Sequence, residues 1–136
     1  MQFETKIALV VRDDLAVWQK LNVTAFLMSG VTGAAPEIMG EPYRDAAGNA
    51  ALPLSVQPVI VLATDGPTLA TIRRRCLERE VVPALYVEEM FATGHDAANR
   101  AVFAEQRPET AKLVGLGIRA DRRVVDRITK GARMHP

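Results

Sequence analysis

An α/β fold is expected, a three-layer α/β/α sandwich on a mostly parallel or mixed four-stranded sheet with a small β-hairpin attached, and three features of the sequence point to it. Short apolar runs rich in branched side chains recur at residues 7–11, 58–63, 84–87 and 112–118, the pattern of strands covered on both faces. Stretches of helical period alternate with these runs, as strand–helix–strand units require. Pro, Gly and Asp stand at nearly every junction between them. With 136 residues, one domain spanning 1–136 is expected, burying about two-thirds of the surface its unfolded chain would expose.

The first apolar run breaks at Arg12-Asp13-Asp14. An Asp there is expected to cap the following helix, because a carboxylate accepts hydrogen bonds from the free amides of the first turn. Within that helix Leu15, Trp18, Asn22, Ala25 and Ser29 share one stripe, widened by Leu21, Phe26 and Met28. The stripe is expected to face the sheet, with Trp18 packed between the layers and Asn22 as its one strongly polar member. Gly30 and Gly33 offer helix-ending positions, and Pro36 forbids continuation.

In residues 37–54 the segment Asp45–Asn49 reads as a hairpin turn between two edge segments, which Pro42 and Pro53 suit. Thr64-Asp65-Gly66-Pro67 is a helix start. The helix it opens, about 68–81, turns Leu69, Ile72, Cys76 and Leu77 inward and Arg73, Arg74, Arg75, Glu78 and Arg79 mostly outward. After the run 84–87, a helix from Asp96 to about Gln106 is expected, capped by Asp96 and closed before Pro108. Gly115 and Gly117 in the run 112–118 imply close approach of another chain segment. A last helix begins near Asp121, carries Val124, Val125 and Ile128 inward, and stops at Gly131.

Seventeen Lys and Arg against sixteen Asp and Glu leave a formal charge of +1, which excludes the global field of a dedicated nucleic-acid binder. A single cysteine, Cys76, allows no internal disulfide and is expected in the core, and the chain opens without a basic and apolar export signal. A reducing cytoplasm is therefore the expected location. No apolar run approaches the roughly 20 residues of a membrane span, so no membrane partner is expected. Cys76, His95 and His135 lack ligand spacing, and neither a metal nor another cofactor is expected.

Three segments carry a resemblance to a known family. Ile-Ala-Leu-Val-Val-Arg-Asp-Asp-Leu with its helix, Leu-Tyr-Val-Glu-Glu-Met-Phe-Ala-Thr-Gly, and Leu-Val-Gly-Leu-Gly-Ile-Arg-Ala-Asp-Arg-Arg-Val-Val-Asp-Arg-Ile-Thr-Lys-Gly together resemble the type II peptidyl-tRNA hydrolase superfamily. Trp18–Phe26 and Thr93–Arg100 are closer to its uncharacterised bacterial branch, a domain-of-unknown-function family. The resemblance implies an acid at Glu89 and a hydroxyl four residues on at Thr93, acting on the ester that joins a peptide to tRNA. Met90 and Phe91 stand where that superfamily has small residues, and Val17–Asn22 stands where it has a glycine and lysine run, with Lys20 one position away from the family lysine.

The candidate catalytic residues are thus Glu89, Thr93 and His95. The first can serve as a base, the second can position the attacked carbonyl, and the third has an imidazole whose ring nitrogens can accept or donate a proton. Arg12, Asp14, Lys20, Asn22 and Arg119 are the candidate substrate-binding residues, Arg119 because it precedes a helix start that favours anions. Three readings follow: a hydrolase of an aminoacyl or peptidyl ester or amide, taking a small molecule or a tRNA end; a non-catalytic module for a small anion or nucleotide end near Arg12, Arg119 and Asn22; and a structural or regulatory homodimer using the hairpin and an exposed helix.

Overall fold

A computed structural model describes residues 3–136. Along the chain these form β1 (Thr5–Arg12), α1 (Val17–Ala34), a 3-10 turn (Pro36–Ile38), β2 (Tyr43–Arg44), β3 (Ala50–Ala51), β4 (Val59–Thr64), α2 (Gly66–Glu78), β5 (Ala84–Val87), a second 3-10 turn (Glu88–Ala92), α3 (Asp96–Ala104), β6 (Leu113–Asp121), α4 (Arg122–Ile128) and β7 (Arg133–Met134). Strands β2 and β3 make the expected hairpin, whose turn is closed by the Asp45 carboxylate accepting from the backbone of Ala47 and Asn49.

The main sheet has five strands in the order β5-β6-β1-β4-β7 instead of the expected four. Among neighbours only β1 and β4 are parallel; β6 is antiparallel to both β1 and β5, and β7 to β4. The sheet is therefore mixed and largely antiparallel, not mostly parallel. An apolar run reports burial on both faces but carries no direction, and a two-residue strand such as β7 has no period to read.

Central β1 divides the core. Ile7, Leu9 and Val11 face α1, while Ala8 and Val10 face the layer of α2 and α4, with Val102 and Phe103 of α3 at its margin. One helix thus covers one face of the sheet and α2 and α4 the other, with α3 at the β5 edge reaching toward α1 as well.

The buried stripe of α1 is Val23, Leu27 and Val31, not the stripe through Trp18 and Asn22. Only Lys20 is charged among its 18 residues, so the helix is apolar nearly all round and periodicity could not choose the buried side. Packing against β6 made the choice. A Cβ on Gly115 would lie 2.4 Å from Val23 Cγ1, so the bare backbone of β6 admits the Val23–Leu27 ridge. Gly30 does not end α1: a Cβ there would meet the Ala84 Cβ at 2.9 Å, and the glycine lets the helix pass β5 closely before Ala35 and Pro36 stop it.

Two other local expectations are overturned. Neither Asp13 nor Asp14 caps α1, which begins three residues later; the Ala16 N–H donates instead to Gln19 Oε1 at 2.9 Å. Asp13 stays attached to the sheet, its N–H donating to the Thr64 carbonyl at 2.9 Å. Of the three arginines on α2, only Arg74 lies on the solvated face. Arg75 Nη1 donates to the carbonyls of Ile128 and Lys130 at 3.0 and 2.7 Å, satisfying the end of α4, and Arg73 lies over the Phe103 ring at 5.9 Å.

Candidate functional site

A cleft of about 290 Å³ opens between α1 and the segment from Met90 to Asn99. The first half of α1 contributes Trp18, Asn22 and Phe26, the end of β5 contributes Tyr86, and the segment after it contributes Phe91, Thr93, Gly94, His95 and Asn99. Three of the sequence-derived candidates, Asn22, Thr93 and His95, therefore share one cavity. The rotation of α1 produces this: with Val23 turned to the core, Asn22 swings about 100° away and faces the cleft.

Four aromatic rings wall it. Trp18 meets Phe91 edge-on with centroids 5.8 Å apart, Phe91 meets Tyr86 at 5.2 Å, and Tyr86 meets Phe26 at 5.7 Å. Trp18 is 61% exposed, so it packs at the cleft mouth and not between helix and sheet. Tyr86 is buried, which pushes its phenol pKa up and keeps the ring neutral.

Polar groups converge on the same wall. The Thr93 hydroxyl lies 2.9 Å from the Met90 carbonyl and also against the Asn99 side-chain amide. Met90 O and Asn99 Oδ1 are both acceptors, so the one proton of the Thr93 hydroxyl is shared between them. His95, rather than Asp96, caps α3: its Nδ1 accepts from the Ala98 N–H at 3.2 Å. A neutral imidazole that accepts at Nδ1 carries its proton on Nε2, so His95 offers the cleft a donor and not a base.

The carboxylates near the cleft are all engaged. Glu89 accepts from Gln106 Nε2 at 2.7 Å on the far side of the 3-10 turn and does not line the cleft. Asp96, on the rim, pairs with Arg100 at 2.6 Å. Glu88 accepts from Arg12 Nη1 at 3.1 Å, and Asp14 from Arg12 Nε at 2.6 Å. Burial disfavours the Arg12 charge, but the hydrogen bonds to Asp14 and then Glu88 outweigh it, and the guanidinium titrates above its ordinary value. Arg133 pairs with Asp13 at 3.3 Å beside it. Arg12 and Asp14 are thus parts of a closed charge network at the carboxyl ends of β1 and β5.

Arg119 lies elsewhere. It pairs with Ile7 across the β1–β6 ladder, five residues from Arg12 and so roughly 17 Å along the strand. There its Nε donates to Gln57 Oε1 at 3.3 Å and Glu37 lies 3.8 Å away. Strand β6 runs on to Asp121, which caps α4 by accepting from Arg123 N at 2.9 Å, so Arg119 is not at the helix start. Lys20 is half-buried on α1 and is not among the residues lining the cleft. The anion site imagined between Arg12, Arg119 and Asn22 is not assembled.

Sequence reasoning passed over Phe26, Tyr86 and Asn99 as site residues. For Asn99 a signal existed: it lies one helical turn beyond His95 and six residues past Thr93, so a helix starting at Asp96 returns it to the same wall.

Comparison with known proteins agrees with the fold. The sequence model of a family described as "Protein of unknown function (DUF2000)" matches residues 5–136. A solved structure of a protein of unknown function from Agrobacterium tumefaciens str. C58 is 63% identical, superposes with a TM-score of 0.98, and is matched over 99% of this chain and 100% of that one. No curated protein matches. These matches extend to a domain-of-unknown-function family and do not connect it with the type II peptidyl-tRNA hydrolases.

Proposed function

The chain belongs to the DUF2000 family of proteins of unknown function, so its activity must be read from its own cleft, and we propose that this cleft binds the acyl end of a small aminoacyl or peptidyl ester or amide without hydrolysing it. The observation that carries the reading is the convergence of Asn22, Thr93 and His95 on one cavity with aromatic walls. The Asn22 amide and His95 Nε2 supply donors for a carbonyl oxygen, and the rings of Phe26, Tyr86 and Phe91 accept an apolar side group. The ester or amide class rests on the resemblance of the Glu89–Thr93 segment to the type II peptidyl-tRNA hydrolases.

What argues against cleavage is the state of the acids. Attack by water needs a base within hydrogen-bond reach, and Glu88, Glu89 and Asp96 are held by Arg12, Gln106 and Arg100. His95 has given its acceptor nitrogen to the cap of α3. Of the acids, Asp96 alone lines the cleft, and its carboxylate faces Arg100 at 2.6 Å on the rim.

Titration calorimetry with N-acetyl-aminoacyl amides tests the proposal. Saturable binding is expected, weakened about tenfold by Asn22→Ala or by Thr93→Ala, a loss of ~1.4 kcal/mol each. The matching esters should hydrolyse no faster with protein than without. Ester turnover that Thr93→Ala abolishes would establish the hydrolase reading in its place, and no saturable binding by any member of the series would remove both.

A further inference from the structure

Strand β5 is an outer strand of the sheet, bonded to β6 alone. Glu88, just beyond it, donates its N–H to the Lys112 carbonyl at 2.9 Å and so faces β6. Main-chain groups alternate along a strand, so Tyr86 and Ala84 face β6 with it, while Leu85 and Pro83 turn outward. Among the described residues the outward N–H and carbonyl of Leu85 have no hydrogen-bond partner. Pro83 has no N–H to leave unpaired, which suits an edge. Along residues 83–86 this edge opens into a cavity of about 500 Å³, walled by Ser29 and Gly30 of α1 on one side and by Asn99 and Phe103 of α3 on the other. The cavity and the acyl cleft share Phe26, Tyr86, Met90, Asp96 and Asn99, so the two are continuous.

We infer that an extended peptide docks here as a sixth strand on β5, parallel to it, with its carbonyl end in the acyl cleft. The inference rests on the reading of that cleft for the direction of the chain, and it names the ligand as a peptidyl rather than an aminoacyl ester or amide. Chemistry and width select this occupant. A free donor and a free acceptor on one residue of a strand edge match a peptide backbone, which carries both. In a parallel pair the Leu85 N–H donates to one peptide carbonyl, and the Leu85 carbonyl accepts from the N–H two residues further on. The cleft residues that follow β5 lie past its carboxyl end, so a peptide with its carbonyl end there points its amino end toward Pro83. Its side chains alternate between the Phe26 and Phe103 walls. Because α1 and α3 wall the cavity on both sides, a single strand fits where a sheet edge carrying its own helices does not.

Titration calorimetry with N-acetyl alanyl peptide amides of one to four residues tests this. Affinity should rise about tenfold from one residue to three, because the Leu85 bonds need peptide units beyond the one held in the cleft. Methylating the peptide nitrogens in turn should cancel that gain at one position, the nitrogen that donates to Leu85. Leu85→Pro leaves the groups facing β6 untouched and should cancel the gain as well, with the melting temperature checking the fold; should that variant not fold, the N-methyl series decides. Single-residue amides that bind as tightly as longer ones overturn the edge docking and leave the acyl cleft standing, as does a gain that no N-methyl group cancels. A three-residue peptide whose affinity falls on N-methylation but ignores Asn22→Ala keeps the docking and removes the acyl reading. Failure of every length to bind overturns both. A wild-type dimer in sedimentation that Leu85→Pro dissociates would give the edge to a second copy and overturn the peptide.

Discussion

Gly115 of β6 and Val23 of α1 stand so close that any side chain at position 115 would overlap the valine, a Cβ lying 2.4 Å from its Cγ1. This pairing fixes which side of a nearly uniform apolar helix is buried, and with it the side on which Asn22 faces the cleft that Thr93 also lines. Gly115→Ala should destabilise the chain by about 1–3 kcal/mol, the usual cost of overpacking a core. Urea unfolding measures it. Adding Val23→Ala should recover part of the loss, because the two residues share one contact, and strictly additive effects would deny the relationship.

Arg75 spans from α2 to the end of α4, donating to the carbonyls of Ile128 and Lys130. Replacing it with Met keeps the stem and removes both charge-assisted bonds. A loss of about 2 kcal/mol is expected in urea unfolding, whereas Arg74→Met, at an exposed pair with Glu78, should change stability by less than about 0.5 kcal/mol.

Asp65 caps α2, and its carboxyl is held below its ordinary range first by the Thr68 backbone N–H, then by the Thr68 hydroxyl and the charge of Arg133. A group whose folded pKa is depressed stabilises the fold above its unfolded value of about 4 and loses that contribution as pH falls through the folded value. Asp65→Ala should therefore lower the urea midpoint at pH 7. The gap from wild type should narrow progressively below about pH 4; a gap independent of pH would show that the carboxylate charge plays no part.

Cys76 is enclosed between α2 and the sheet, and burial pushes its thiol up to about 11, against a smaller lowering by Arg73. The native protein should resist a thiol reagent at pH 8, reacting only as fast as the core opens. Urea at unfolding concentration should release one reactive thiol per chain. Rapid labelling of the folded protein would contradict the burial.

His95 has two duties that a pair of substitutions can separate. Asn caps a helix well and lacks the ring, so His95→Asn should hold α3 and the melting temperature while weakening ligand in the calorimetric assay. His95→Ala should lower both. Full affinity in His95→Asn would leave the imidazole with a capping role alone.

Much of the fold was legible because its signals were local. The apolar runs marked β1, β4, β5 and β6, Thr64-Asp65-Gly66-Pro67 marked the start of α2, and the paired glycines of β6 announced a close neighbour. What stayed hidden depended on partners distant in sequence. Strand direction is not written in an apolar run, and the buried side of α1 was decided by Gly115. Asp13 and Asp14 read as caps until Thr64, Arg12 and Arg133 claimed them. In the site, Asn22, Thr93 and His95 were named from the sequence, yet Glu89 turned to Gln106 and Arg119 to Gln57 through contacts that spacing alone does not encode.

The place of β6 in the sheet governs the order in which the chain can assemble. It lies between β5 and β1, joining Ile7 to Arg119 and Tyr86 to Gly115. A nascent chain that has not yet delivered residues 113–121 holds β1 and β5 with bare edges and α1 without the groove that seats it. Pairings of such sequence separation slow folding, and open strand edges are where partly made chains associate wrongly. The strand that locks α1 in place is therefore also the piece whose late arrival leaves the unfinished chain with edges open to wrong association.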